Sequence, residues 1–161
     1  MTDYTSFTQR LAVGWPDDAY AALCALADEV IGVKLFTLLM SDTAANVSRR
    51  FYSNMPDAYP VSGTKPRPTN DWAKQVLDRA ETFVMNDIET IAKTFFDHEL
   101  INSLGCQSCI NIPIAVGGDV LGTINCLNEA GHYTPERVAA SEALKLPGAA
   151  CFLLARLQPP A

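Results

Sequence analysis

Apolar residues recur along the chain with two different periods. From Ala19 to Ile31 they follow helical spacing, with Leu23, Leu26, Ala27, Val30 and Ile31 on one stripe. Asp17 and Asp18 stand where carboxylates can cap the first exposed amides, and Gly32 suits the stop. A shorter helix over Tyr4–Val13 rests on Tyr4, Phe7 and Leu11. Val33–Met40 reads as a strand and Val47–Ser53 as its hairpin partner. Between Pro56 and Pro68 lie four prolines and one glycine, which predicts a long loop unsuited to a central strand. Thr69 or Asn70 then caps a helix over Asp71–Ala80 with Trp72, Val76 and Leu77 inward. Phe83–Met85 is a short strand, and a helical segment opened by Asp87 or Glu89 runs to about Leu104, ahead of Gly105. Thr134-Pro135-Glu136 starts a last helix reaching Leu157, which Pro147-Gly148 must kink or break.

The clearest local pattern is Ser108–Asn128, a β-hairpin around Gly117-Gly118. Ile110, Ile112, Ile114 and Val116 alternate with Cys109, Asn111, Pro113 and Ala115, so period two separates them onto opposite faces. Two registers are open. A two-residue turn pairs Val116 with Asp119, Ile112 with Thr123 and Cys109 with Cys126. A three-residue turn pairs Val116 with Val120, Ile112 with Ile124 and Asn111 with Asn125. The second places Val120, Ile124 and Cys126 on the isoleucine face and gathers Asn111, Thr123, Asn125, Cys109 and Leu127 on the other. Uniformity of the two faces favours it, whereas turn chemistry alone favours the first. The expected product is an antiparallel sheet with one apolar face under helices and one face bearing amides and hydroxyls, able to orient a small polar molecule. The alternative is a face that is merely wet or satisfied by the Pro-rich loop. Helices cluster at the chain ends and strands lie between them, which is an α+β order.

The chain has 161 residues, 48% hydrophobic and 19% charged, which excludes disorder and predicts one domain over 1–161. Twelve basic residues against eighteen acidic ones give a net charge of −6, which argues against a nucleic-acid binder. The N-terminus shows no signal-peptide pattern, and Ala149–Ala155 is too short an apolar run to span a bilayer. Five cysteines, an odd number, then read as reduced thiols in a cytoplasmic protein.

Leu104-Gly105-Cys106-Gln107-Ser108-Cys109-Ile110-Asn111-Ile112-Pro113-Ile114, the turn at Gly118, and Val120-Leu121-Gly122-Thr123-Ile124-Asn125 resemble the GAF domain family. The likeness extends over about 17–157, with Asp87 after the short strand and a terminal helix after Tyr133-Thr134-Pro135. It implies a PAS-like antiparallel sheet, helices behind it and a ligand cleft in front. It further implies a sensory module for a small molecule, dimeric through its terminal helices. Leu144, Cys151, Leu154 and Leu157 are the expected stripe. Carried over, the cleft positions are Asn111, Thr123, Asn125 and Leu127, with the 86–104 segment contributing. Relatives that attach a bilin do so through a cysteine ahead of Leu104; Asp97-His98-Glu99 stands there instead, so no covalent bilin is expected and the cofactor is unspecified. With no output segment attached, a signal would pass to a separate partner.

Two further functions compete with ligand sensing. One branch of the family reduces free methionine sulfoxide, but its cysteine would fall at Asn102. Cys106 and Cys109 straddle a helix stop and a strand start, away from any helix N-terminus that would lower a thiol pKa. A ligand-free dimerisation module is the other. No metal site is expected, since Cys106 and Cys109 lack a second pair of ligands. His98 reads either as a solvated helix residue or as a ligand contact at the cleft rim, and His132 as a surface loop residue. Arg49, Arg50, Lys65 and Arg67, with Asp57 the one acid between Ala44 and Thr69, could steer an anionic metabolite or could be an ordinary solvated stretch.

Overall fold

The computed structural model describes residues 1–61 and 63–158; Ser62, within the expected loop, and the last three residues lie outside them. Helix α1 is Thr5–Val13 and α2 is Pro16–Ile31. The start of α2 falls three residues ahead of Ala19, because Pro16 occupies the first helical position and Asp18 reaches back to accept from the Trp15 amide at 2.9 Å. Strands β1 (Leu35–Asp42) and β2 (Val47–Ser53) form the expected hairpin. The Pro-rich segment does yield one short strand, β3 (Lys65–Pro66), which is tolerated because it sits on the sheet edge beside β2.

After that loop, Asn70 caps the next helix by accepting from the Ala73 amide at 3.0 Å. Only α3 (Asp71–Ala73) is α-helical; Lys74–Asp78 widens into a π-turn. Strand β4 is Phe83–Met85. The expected continuous helix to Leu104 is two helices, α4 (Ile88–Thr94), capped by Asp87, and α5 (His98–Ser103). Phe95 is extended between them and half-buried, its ring 6.0 Å from Trp72. Strands β5 (Ser108–Val116) and β6 (Asp119–Asn128) follow, then α6 (Pro135–Ala140), a 3-10 turn over Ser141–Leu144, and α7 (Lys145–Leu157). The expected break occurs ahead of Pro147, whose ring excludes the regular helical turn before it. By length and composition Pro135–Leu157 could cross a membrane, but here Leu144, Cys151, Phe152 and Ala155 are buried in the core.

Six strands in the order β3-β2-β1-β6-β5-β4 make one antiparallel sheet. Both hairpin registers occur in it. The two-residue turn pairs Val116 with Asp119, while Ile112 pairs with Ile124 and Asn111 with Asn125. A bulge between Ile114 and Ala115 reconciles them, because β6 carries one extra residue there. Val120 is therefore not on the isoleucine face. Leu121 is, and Val120 packs with Trp72, Val76 and Leu77 on the opposite side.

A second bulge lies in β2, where the register jumps from Tyr52 to Arg50. Phe51 and Tyr52 both turn to the helical side, Phe51 meeting Phe152 at 4.9 Å and Tyr52 meeting Phe36 at 6.0 Å. That layer, built from α1, α2, α7 and the isoleucine face, is the main core. Its closest approaches are at glycine. A Cβ on Gly122 would strike the Leu39 carbonyl oxygen and, at 2.6 Å, the Phe152 ring; one on Gly148 would come within 2.8 Å of Ile114. The other side of the sheet carries two smaller clusters, around Leu35, Ile91 and Cys109 and around Trp72 and Val76.

Candidate functional site

Those two clusters leave a cavity of about 310 Å³ between them. Its floor is the polar-bearing face of β1, β6 and β5: Leu35, Thr37, Leu39, Asn125, Leu127, Cys109 and Asn111. Ser48 and Arg50 of β2 close one side, and Thr94–Asp97 with Ile101 close the other. Tyr59, Pro66, Pro68 and Trp72 form the roof.

Of the positions expected at a cleft, Asn111, Asn125, Leu127 and Cys109 come together here. Thr123 and His98 do not line the cavity. Thr123 is buried with its hydroxyl unpartnered, in the part of the sheet that the π-turn packs against. His98 is displaced by the split of the helical segment, which brings its neighbour Asp97 to the wall instead.

The floor is a hydrogen-bonded relay. Trp72 Nε1 donates to Asn111 Oδ1 at 3.0 Å, Asn111 Nδ2 to Asn125 Oδ1 at 2.8 Å, and Asn125 Nδ2 to Thr37 Oγ1 at 3.2 Å. The Cys109 thiol also reaches Asn111 Oδ1, at 3.5 Å. Above the floor the Tyr59 hydroxyl donates to Asp97 Oδ2 at 2.6 Å, tying the Pro-rich loop to the α4–α5 turn. Burial and this bond push the phenol above its ordinary pKa. Arg50 NH1 donates to the Pro60 carbonyl at 3.1 Å, and its guanidinium carbon lies 5.0 Å from the Tyr59 ring centre. Partial burial holds the Arg50 pKa below its usual value.

The four basic residues of the 44–69 stretch part company. Arg50 and Lys65 line the cavity, Arg67 pairs with Asp78 at 3.0 Å, and Arg49 lines a separate hollow beside Trp15 and Tyr20. Sequence reasoning did not name Thr37, Tyr59 or Trp72 as cavity residues, and it reached Asp97 only as part of the 86–104 segment. Trp72 had looked like plain core, and nothing local marks an indole whose ring packs while its N–H works.

Burial raises the pKa of every thiol. Burial pushes Cys109 up to about 12 and Cys151 to about 12, and Cys24 is raised to about 11. Cys106 and Cys126 are raised by burial as well. Among the described residues no group of three or more His, Cys, Asp or Glu side chains could hold a metal ion.

A curled antiparallel sheet with helices on one face and a roofed, part-polar cavity on the other defines an α+β domain with a cleft. The profile of the GAF domain matches residues 16–144, and the chain belongs to that family, whose members are typically sensory, small-molecule-binding regulatory modules. Solved structures share the fold. The GAF domain of a phosphoenolpyruvate-protein phosphotransferase from Coxiella burnetii is 18% identical, with a TM-score of 0.70 over 94% of this chain and 90% of that one. Its Acinetobacter counterpart is 10% identical, with a TM-score of 0.71 over 95% and 92%. The GAF domain of a two-component sensor histidine kinase from Bacillus halodurans is 15% identical, with a TM-score of 0.66 over 88% and 95%. No curated protein matches the sequence.

Proposed function

We propose that this chain is a non-enzymatic sensor that binds a small molecule in the cavity over β1, β6 and β5. The observation carrying this reading is the buried relay from Trp72 to Thr37. Buried amides cost stability unless they are paired, and four side chains from β1, α3, β5 and β6 are committed to keeping them at the floor of a void. At about 310 Å³ the space sits at the low end for ligand pockets, which favours a compact metabolite over a tetrapyrrole. The raised thiols weigh against the reductase reading, since attack needs thiolate at neutral pH.

The sensor pairs with a second copy through the outward face of α7. Leu144 and Cys151, expected in that stripe, are buried in the protein's own core and Leu154 is half-buried. Of the expected stripe Leu157 alone is on the open side, where it follows helical spacing with Leu146, Ala150 and Leu153; Leu146 is 81% and Leu157 80% exposed. Native mass spectrometry of the purified protein tests both parts. The expected spectrum is a dimer carrying a small molecule, reduced to monomer by Leu153→Glu. A bare protein whose Asn111 and Asn125 side-chain amides also fail to shift against a metabolite library overturns the sensor reading.

A further inference from the structure

The polarity of the floor relay follows from one side chain. An indole N–H can only donate, so the Asn111 atom facing Trp72 must be the carbonyl oxygen. The Asn111 amide nitrogen is thereby turned to Asn125, which must answer with its oxygen, and the Asn125 nitrogen is turned to Thr37. Each asparagine could in principle present either end, but Trp72 removes that freedom. Among the groups that the relay leaves unspent are two donors: the second N–H of Asn125, and the hydroxyl hydrogen of Thr37, whose oxygen is already accepting.

The side wall agrees. Ser48 lines the cavity, is 6% exposed, and its hydroxyl has no partner. Arg50 Nε is buried and unpartnered, and among the described residues neither Arg50 nor Lys65 makes an ion pair. The bulge at Phe51 is what turns Arg50 to this side rather than into the aromatic core. Asp97 is the opposing group, and one of its oxygens is occupied by Tyr59. Two cations less one carboxylate leave a single positive charge on the lining.

We propose that the ligand is a small monocarboxylate with an apolar body, its carboxylate taken by Arg50 and Ser48 and its body lying against Leu39, Trp72, Phe95 and Leu127. This rests on the sensor reading above and narrows it. A monoanion balances the lining charge, whereas a phosphate dianion would overshoot it. The planar guanidinium suits a planar carboxylate. A neutral ligand can answer the donors through a carbonyl oxygen but leaves the lining charge unbalanced.

The test is an NMR titration of the full chain, reading the Asn111 and Asn125 side-chain amides. The probes are phenylacetate and isovalerate beside phenylacetamide, isovaleramide and inorganic phosphate. Each acid should bind at least about tenfold more tightly than its amide, and Arg50→Gln should weaken acid binding about ten- to a hundredfold while sparing the amides. Trp72→Phe frees Asn111 to turn over, and should cut the acid-to-amide ratio about fivefold with Arg50 intact. Amides binding as well as acids, phosphate binding more tightly than either acid, or an acid preference that survives Arg50→Gln would each overturn the carboxylate while leaving the cavity as the site. If neither acids nor amides move those resonances, the carboxylate falls, while the sensor reading falls only if the protein is also bare and silent against the metabolite library.

Discussion

The two faces of the sheet are made by alternate residues of the same strands, yet they are organised on opposite principles. The helical face is one continuous apolar layer in which Phe36, Ile112, Ile124, Cys151 and Phe152 are fully buried. The cleft face holds two smaller clusters, a void, and buried Thr37, Asn111 and Thr123. One face stabilises the fold by burying apolar area, and the other gives up part of that gain to hold polar groups in place beside empty space. Stability and the proposed recognition are thus separated by a single pleat.

Substitutions on either side should report that division. Phe152→Ala removes the ring wedged against Phe51 and Gly122, and should cost about 3–5 kcal/mol in denaturant unfolding without altering ligand selectivity. A loss below about 1 kcal/mol would mean that this layer is not the stability core. Asn111→Leu strands the buried Trp72 indole N–H and should cost about 1–3 kcal/mol, together with all probe binding.

The thiols bear on whether the cleft face is reactive. Because Cys109 and Cys151 sit near 12, well above the ordinary thiol value of 9.0, the folded state holds those protons longer than the unfolded chain. Their contribution is complete below about pH 9 and is lost as pH rises toward about 12. Unfolding midpoints should accordingly fall above pH 9 and stay level between pH 7 and 8. A thiol reagent at pH 8 should label Cys24, the one half-exposed cysteine, first. Rapid labelling of Cys109 in the native protein would reopen the reductase reading.

Leu39→Trp fills the cavity from a half-buried floor position. It should change stability by less than about 1.5 kcal/mol while abolishing probe binding, which calorimetry and unfolding can separate. Smallest of all, Arg67→Ala breaks an ion pair whose Asp78 side chain is 55% exposed, and should shift stability by less than about 1 kcal/mol. A larger loss would show that the loop strapped by this pair supports the roof.

Much of this arrangement was legible in the amino acids. Period two in Ile110–Val116 separated Asn111 from the isoleucines, and the turn and face rules each described a real part of the β5–β6 hairpin. Neither rule alone could place Val120, since a bulge changes which face a residue occupies and leaves no local mark. The basic bias of the 44–69 stretch pointed to Arg50 and Lys65 but could not distinguish them from Arg49 and Arg67. Spacing named His98 as a possible rim contact, but where Phe95 interrupts the expected helix it is Asp97 that lines the cavity.

By itself the order of apolar and polar residues determined the α+β architecture, the strand faces away from the bulges, and the helix caps at Asn70, Asp87 and Thr134, because these depend on spacing and on side chains a few residues away. Only the tertiary structure decided that Arg50 faces the cavity, that Trp72 orients the asparagines, and that four of the five thiols are buried while Cys24 is half-exposed. Those outcomes depend on contacts between elements tens of residues apart, such as Trp72 with Asn111 and Tyr59 with Asp97, for which local spacing holds no information.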